Sequence, residues 1–212
     1  MGTISKGILG GFSGKVGTVI GGSWKGIEYM RSQTSKRKFN PSEKQLAQQM
    51  KFALIMYFLQ PMSALLEVTF RNFAVKKTGI NSALGYNLRN AVTGTYPSFT
   101  IDYSLALVSR GDLPNALSPA VTAGAGGMLT FNWTDNSGSG AAAGTDVAML
   151  VAYCPELKQA VFASGGVRSD STGDLNASAL QGHLVETWIT FLTEDGKKSA
   201  TSIFTGEVSL VV

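Results

Sequence analysis

The residue types that do chemistry are few and scattered in this sequence. Its one cysteine, Cys154, closes an apolar stretch just ahead of Pro155. A thiol there reads as a small buried hydrophobe, because reactive thiols sit in exposed, electropositive surroundings. The single histidine, His183, stands in a turn before an apolar run, with no base or nucleophile at a recognisable spacing. Carboxylates pair only as turn residues, Glu194 with Asp195 and Asp170 with Asp174. Asp135, Asp170 and Asp174 lack the spacing of a calcium-binding loop. Gly10 to Gly14-Lys15 is one residue short of a phosphate-cradling loop, and Val16 stands where that loop carries Ser or Thr. No catalytic constellation, cofactor or metal site follows, and the expectation is a protein that is not an enzyme.

Binding chemistry is better represented. Lys36, Arg37 and Lys38 stand together, with Phe39 next to them. They read either as phosphate contacts beside a stacking ring or as a solvated polar linker. Charge is unevenly spread along the chain. Residues 1–115 hold 14 Lys/Arg against 5 Asp/Glu, and residues 116–212 hold 4 against 9. A net of +9 followed by −5 reads as two ordinary surfaces, as head-to-tail attraction between copies, or as a basic half facing nucleic acid or another anionic partner. Arg110-Gly111-Asp112 matches an adhesion tripeptide but reads more simply as a turn ending a strand.

The elements that must position these residues fall into three stretches. Residues 1–30 form a Gly-rich β arm: glycines at 7, 10, 11, 14, 17, 21, 22 and 26 separate Phe12, Val16, Val19, Ile20 and Trp24. β-Branched and aromatic residues favour strands, and the glycines favour turns and close backbone approach. The expected strands are about 15–20 and 24–30, around a turn at Gly21-Gly22. So glycine-rich an arm buries too little to stand alone. Phe12, Val16, Val19, Ile20, Trp24, Lys36, Arg37 and Lys38 are therefore the expected assembly interface.

Residues 31–115 read as a basic, mainly helical region with a terminal strand. Asn40 as N-cap, Pro41 at the first helical position and Glu43 two residues later predict a helix start. Leu46, Met50, Ala53, Leu54, Tyr57 and Phe58 recur at helical spacing. Pro61 is expected to kink or restart the helix, and a further helix is predicted over about 80–92. Phe99, Ile101, Tyr103, Leu105 and Leu107 alternate with smaller or polar residues, which predicts one strand over that range. Residues 116–212 carry strand candidates at about 128–133, 146–153, 160–168, 174–180, 184–193 and 199–211, divided by Gly/Ser/Asp turns such as Gly165-Gly166. That spacing predicts an acidic β-sandwich, giving an α+β chain in all. No secretory signal is seen, and no apolar run approaches the roughly 20 residues that span a bilayer.

From Leu117 onward the chain resembles a fibronectin type III or related immunoglobulin-like β-sandwich. The strand ending in Trp133, the apolar run 147–153 and the hairpin 184–208 carry the likeness; the Tyr expected at the corner before the penultimate strand is missing from Leu180-Gln181-Gly182-His183. The whole chain resembles a family of small uncharacterised proteins of Bacteroidota and their phages, through residues 7–21, Ser23-Trp24-Lys25-Gly26-Ile27, the helix start at 41–58, residues 88–97 and the sandwich. Residues 40–49 also look like helix starts in small virion-associated proteins. The family resemblance implies no function of its own; the Gly-rich β arm, the basic helical middle and the acidic sandwich together lead to the expectation of a self-associating structural protein of a phage or phage-derived particle, for example at a head-tail junction, in a ring or in a tail. Its expected partners are further copies and other structural proteins, without membrane insertion, in the virion or the cytoplasm before assembly. A cell-surface module binding glycan or protein through its sandwich loops is the alternative.

Overall fold

The structure is a computed structural model and describes residues 2–4, 7, 10–34 and 40–210. The chain is mixed α+β and divides into two units, Met1–Ser42 and Glu43–Val212. The helical region and the sandwich thus share the second unit. Lys36, Arg37, Lys38 and Phe39 lie outside the described residues, as do Ile8 and Leu9.

The first unit is one antiparallel sheet of β1 (Thr3–Ile4), β2 (Phe12–Val16), β3 (Val19–Trp24) and β4 (Ile27–Ser32), in sequential order. Its tight turns are not where the paired glycines predict them. The chain reverses after Val16 and after Trp24, where Gly17, Lys25 and Gly26 take positive φ of 60°, 47° and 80°. Gly21 and Gly22 instead lie within β3. A Cβ on Gly21 would collide with the carbonyl oxygen and ring of Phe12, so glycine is needed there for close approach rather than for turning.

The second unit opens with α1 (Glu43–Leu59), a 3-10 turn at Gln60–Met62 around Pro61, and α2 (Ser63–Thr69). The restart at Pro61 is as predicted. The helix start is later than the Asn40 cap implies, and Pro41 precedes the helix. Contrary to the reading that no apolar run is long enough, the helical stretch Glu43–Thr69 is long and apolar enough by length and composition to cross a bilayer. Here it sends Ile55, Phe58, Leu59, Met62, Leu65 and Leu66 into a protein core. The third helix, α3 (Gly79–Asn90), is capped by Thr78, whose hydroxyl accepts from the Asn81 N–H at 3.2 Å. It ends before Val92, which begins the hairpin β5 (Val92–Thr95) and β6 (Ser98–Ile101).

The strand predicted over 99–107 therefore stops at Ile101. The Asp102 carboxylate accepts from the Ser104 N–H and hydroxyl, folding the chain into a turn that competes with the strand ladder. Val108 and Ser109 then run beside the segment at 199–202: the Ser202 hydroxyl accepts from the Val108 N–H at 3.0 Å, and the Ser109 hydroxyl donates to the Ala200 carbonyl at 2.6 Å. The Arg110-Gly111-Asp112 tripeptide belongs to this strap and not to a strand end. Gly111 packs against Ser199, and the Arg110 guanidinium lies 4.4 Å from the Phe73 ring centroid.

The sandwich comprises β7 (Leu117–Ala123), β8 (Met128–Thr134), β9 (Val147–Cys154), β10 (Gln159–Val167), β11 (Thr172–Asn176), β12 (Leu184–Leu192) and β13 (Ile203–Ser209). A three-stranded sheet β11-β8-β7 and a four-stranded sheet β10-β9-β12-β13 share one core. This is the seven-strand order of the expected fibronectin III-like sandwich. Strand β7 has no counterpart among the sequence candidates. Its Pro119 hides it, and prolines within sheets stand at edges and bulges; β7 is an edge strand whose register shifts between Leu117 and Ala120. Gly165-Gly166, read as a turn, lies within β10 at another register shift.

Two cores meet on the four-stranded sheet. Ala148, Leu150, Ala152 and Cys154 of β9, with Val185, Ile189 and Phe191 of β12, face the opposing sheet and Trp133. Val151, Tyr153 and Trp188 lie in the helix-side core with Phe58, Leu66, Ala83 and Val108. All of β12 after Leu184 is buried. Such a strand reads as a continuous apolar run because both its faces are covered.

Candidate functional site

Three places combine exposure, charge or cavity with unusual residues. The first is the N-terminal sheet. Cross-strand neighbours share a face and alternate along each strand. Lys15, Ile20 and Arg31 form one row, Gly22 and Tyr29 the next but one, and Trp24 and Ile27 another, all on one face. Val16, Val19 and Met30 lie on the other face, where the Phe12 ring covers Gly21. The expected interface residues are therefore split: Phe12, Val16 and Val19 are together, and Ile20 and Trp24 are on the reverse. Trp24 is 56% exposed and Met30 72%, and Val16, Ile27 and Tyr29 are also exposed.

The strand β4 forms one edge of this sheet, and all six of its residues are exposed. The Gln33 N–H donates to the Thr18 carbonyl at 2.7 Å, so it points back into the sheet. Backbone groups alternate in direction along an antiparallel strand. Those of Glu28, Met30 and Ser32 therefore point to the open side.

The second place is one end of the sandwich, organised by Arg168. Its side chain is fully buried and its Nε donates to Asp146 Oδ2 at 3.1 Å. One terminal nitrogen donates to Asn136 Oδ1 at 2.6 Å and the other to the Pro114 carbonyl at 2.9 Å. The guanidinium lies 3.8 Å from the Phe191 ring centroid, and the Arg168 carbonyl accepts from Trp133 Nε1. Nothing in the sequence singles out Arg168; among 18 cations it sits in an ordinary turn. Beside it the loops at 141–146 and 193–198 enclose an open cavity of about 660 Å³.

The third is a smaller cavity of about 330 Å³ at the opposite, N-terminal end of β12, lined by Pro155, Glu156, His183, Leu184, Glu186 and Glu207. Glu186 and Glu207 are directly opposite on β12 and β13. His183, read from sequence without a partner, has one: its Nδ1 lies 2.8 Å from Glu156 Oε2. Glu186 is only 8% exposed and makes no hydrogen bond or ion pair among the described residues.

A model of a family of unknown function, DUF6266, matches residues 11–206. The chain belongs to DUF6266. No curated protein and no solved structure matches it.

In this DUF6266 chain the residues weighed for chemistry are dispersed. Cys154 is fully buried in the inter-sheet core. Asp135 accepts from Ser137, Asp170 from the Val167 N–H and Asp174 from the Thr130 hydroxyl. Among the described residues no three His, Cys, Asp or Glu side chains are grouped to hold a metal ion.

The Glu186 carboxyl is pushed up to about 7, first by burial and then by Glu207. Tyr153 is its neighbour on β9, and Tyr103 is coupled to it electrostatically. A raised folded-state value means that ionised Glu186 opposes folding. That penalty is absent at acid pH and grows as pH rises from the ordinary carboxylate range through about 7. Glu186→Gln is therefore expected to stabilise the protein by about 1–3 kcal/mol at pH 8 and to leave it unchanged at pH 4. Thermal melts at the two pH values check this; equal gains at both would refute it.

Proposed function

We propose that this protein is a non-catalytic structural component that works by assembly, in a phage or phage-derived particle. One observation carries the reading: the N-terminal sheet has an open six-residue edge and exposed large apolar side chains on both faces. An exposed strand edge is a template for pairing, and strand addition gains affinity from main-chain hydrogen bonds. A sheet whose strands bury Gly21 but no large side chain gains stability by covering Trp24, Ile27, Tyr29 and Met30. Further copies and other structural proteins are the natural partners. The resemblance of residues 40–49 to helix starts in small virion-associated proteins supports the particle setting, in the virion and in the cytoplasm before assembly. Nucleic acid is a further partner of the basic half, with Lys15 and Arg31 beside Trp24 and Tyr29 on one face as its described candidates.

The full chain is expected to sediment as an oligomer. Met30→Pro removes an N–H that points to the open side, and is expected to weaken association at least tenfold while the thermal transition of the second unit is unchanged. An unaltered sedimentation profile for Met30→Pro, or a wild-type chain that stays monomeric at high concentration, would overturn the reading. The cavity of about 660 Å³ among the sandwich loops favours one alternative, a surface module holding glycan or protein there. Fractionation of cells and particles separates the two, since a surface module partitions with the envelope.

A further inference from the structure

A small pocket lies on the side of α3 that faces away from its buried Ala83, Leu84 and Asn87. Asn81, Gly85 and Arg89 stand four residues apart and so share one helix face. That face, with Lys77 ahead of the helix and Arg110 of the strap, bounds a cavity of about 160 Å³. Pockets that enclose whole small molecules run to roughly 300–1,000 Å³, so this one suits a group of a few atoms. Three cations line it and no carboxylate does.

Two observations beyond that charge point to a ligand. The first is how Arg110 is held. Its N–H donates to the Thr69 carbonyl at 3.3 Å, and its carbonyl accepts from the Ser199 hydroxyl at 3.0 Å. Its guanidinium lies 4.4 Å from the Phe73 ring centroid and 5.5 Å from that of Tyr86. Neither this guanidinium nor that of Arg89 has a hydrogen-bonding or ion-pairing partner among the described residues. A guanidinium steadied by rings, with its N–H edge unused, is a preformed fork for two oxygens of one anion. The second observation is Gly85. Glycine weakens a helix interior, and no packing demands it here: a Cβ at this position would meet no atom within 4 Å. What the glycine supplies is an open floor, on which a ligand can approach the helix backbone closely.

The chemistry of the anion follows from the donors. Arg89 and Arg110 reach the pocket from different elements, so the group they share needs acceptors on more than one side. A carboxylate offers two oxygens in one plane. A phosphate group spreads its charge over several oxygens around one centre and accepts from both arginines together. We propose that this pocket binds a phosphate group, with Arg110 as the bidentate fork and Arg89 and Lys77 adding charge at its rim. The site lies within the second unit, and its reading does not rest on assembly.

The test titrates the full chain with inorganic phosphate and, separately, with a fluorescent single-stranded oligonucleotide, in chloride buffer of fixed ionic strength. Amide NMR shifts follow the first and fluorescence anisotropy the second. Phosphate is expected to bind saturably, with the largest shifts at residues 77–90 and 110. Arg89→Gln is expected to bind about tenfold more weakly, the cost of one charge-assisted hydrogen bond. Gly85→Leu keeps every charge, fills the floor and favours the helix. It is expected to lose phosphate binding while its melting temperature holds or rises, which separates a blocked pocket from a damaged fold. Loss of oligonucleotide binding in Gly85→Leu identifies a nucleic-acid backbone as the source of the phosphate; loss of phosphate binding alone identifies a free phosphate group. Wild type that binds neither probe overturns the inference. So does Gly85→Leu that binds both as wild type does, because the cations would then act as diffuse surface charge and not as a site.

Discussion

Arg168→Ala is expected to cost the second unit about 3–5 kcal/mol, the range for breaking a buried ion pair by removing one member. The loss exceeds that of one contact because Asp146 is itself 1% exposed and would keep its charge with no cation beside it. The Pro114 carbonyl and Asn136 would also lose their donors. For a domain whose total stability is of order 5–15 kcal/mol, that is a large share. Urea unfolding followed by tryptophan fluorescence gives the difference. The control removes the pair together: Arg168→Met with Asp146→Leu is expected to recover most of the loss, since replacing both charges by apolar groups of similar size is often neutral or stabilising. A double variant as unstable as Arg168→Ala would show that the hydrogen bonds to the loops, and not the stranded Asp146 charge, set the penalty.

Trp188→Ala is expected to cost a similar amount, about 3–5 kcal/mol, and to act through the other core. Trp188 is fully buried, donates from Nε1 to the Ala106 carbonyl at 3.2 Å, and packs its ring 5.6 Å from Phe58 and 5.5 Å from Phe204. Truncation leaves a cavity between β12 and α1, with the Ala106 carbonyl deprived of its donor. Helix docking should loosen first, so hydrogen exchange across Glu43–Leu59 is expected to accelerate more than exchange across Met128–Thr134. Uniform acceleration in both elements would show that the two cores melt as one.

The strands of the sandwich were legible because turn residues and apolar runs alternate clearly there, and Trp133 announced an inward-facing position. What β12 packs against was not legible. An apolar run such as Leu184–Leu192 is compatible with any arrangement that covers both faces, and only the tertiary structure shows helices on the second. Paired glycines misled twice, at Gly21-Gly22 and Gly165-Gly166. Glycine serves close approach and bulges as well as turns, and sequence does not say which. Of the candidate sites, the apolar residues of the N-terminal arm were visible as a set, but their division between two faces depends on strand register. Arg168, Glu186 and Glu207 were invisible because their meaning comes from what lies across a ladder or loop: Asp146 is 22 residues from Arg168, and Glu207 is 21 from Glu186.

The strap that binds Ser109 to Ala200 and Val108 to Ser202 sets a timetable for synthesis. Trp188, against which Phe58 packs, lies 130 residues downstream of it, and Ser202 lies 94 residues downstream of Val108. At translation speeds of about 5–20 residues per second, Phe58, Leu66 and their apolar neighbours wait roughly 6–26 s for Trp188 of the sheet they cover. During that interval the nascent chain displays a long apolar helical stretch with nothing to pack on, a surface that chaperones bind. The protein's yield in a cell should therefore depend on how that wait is managed, even for variants whose finished fold is as stable as the wild type.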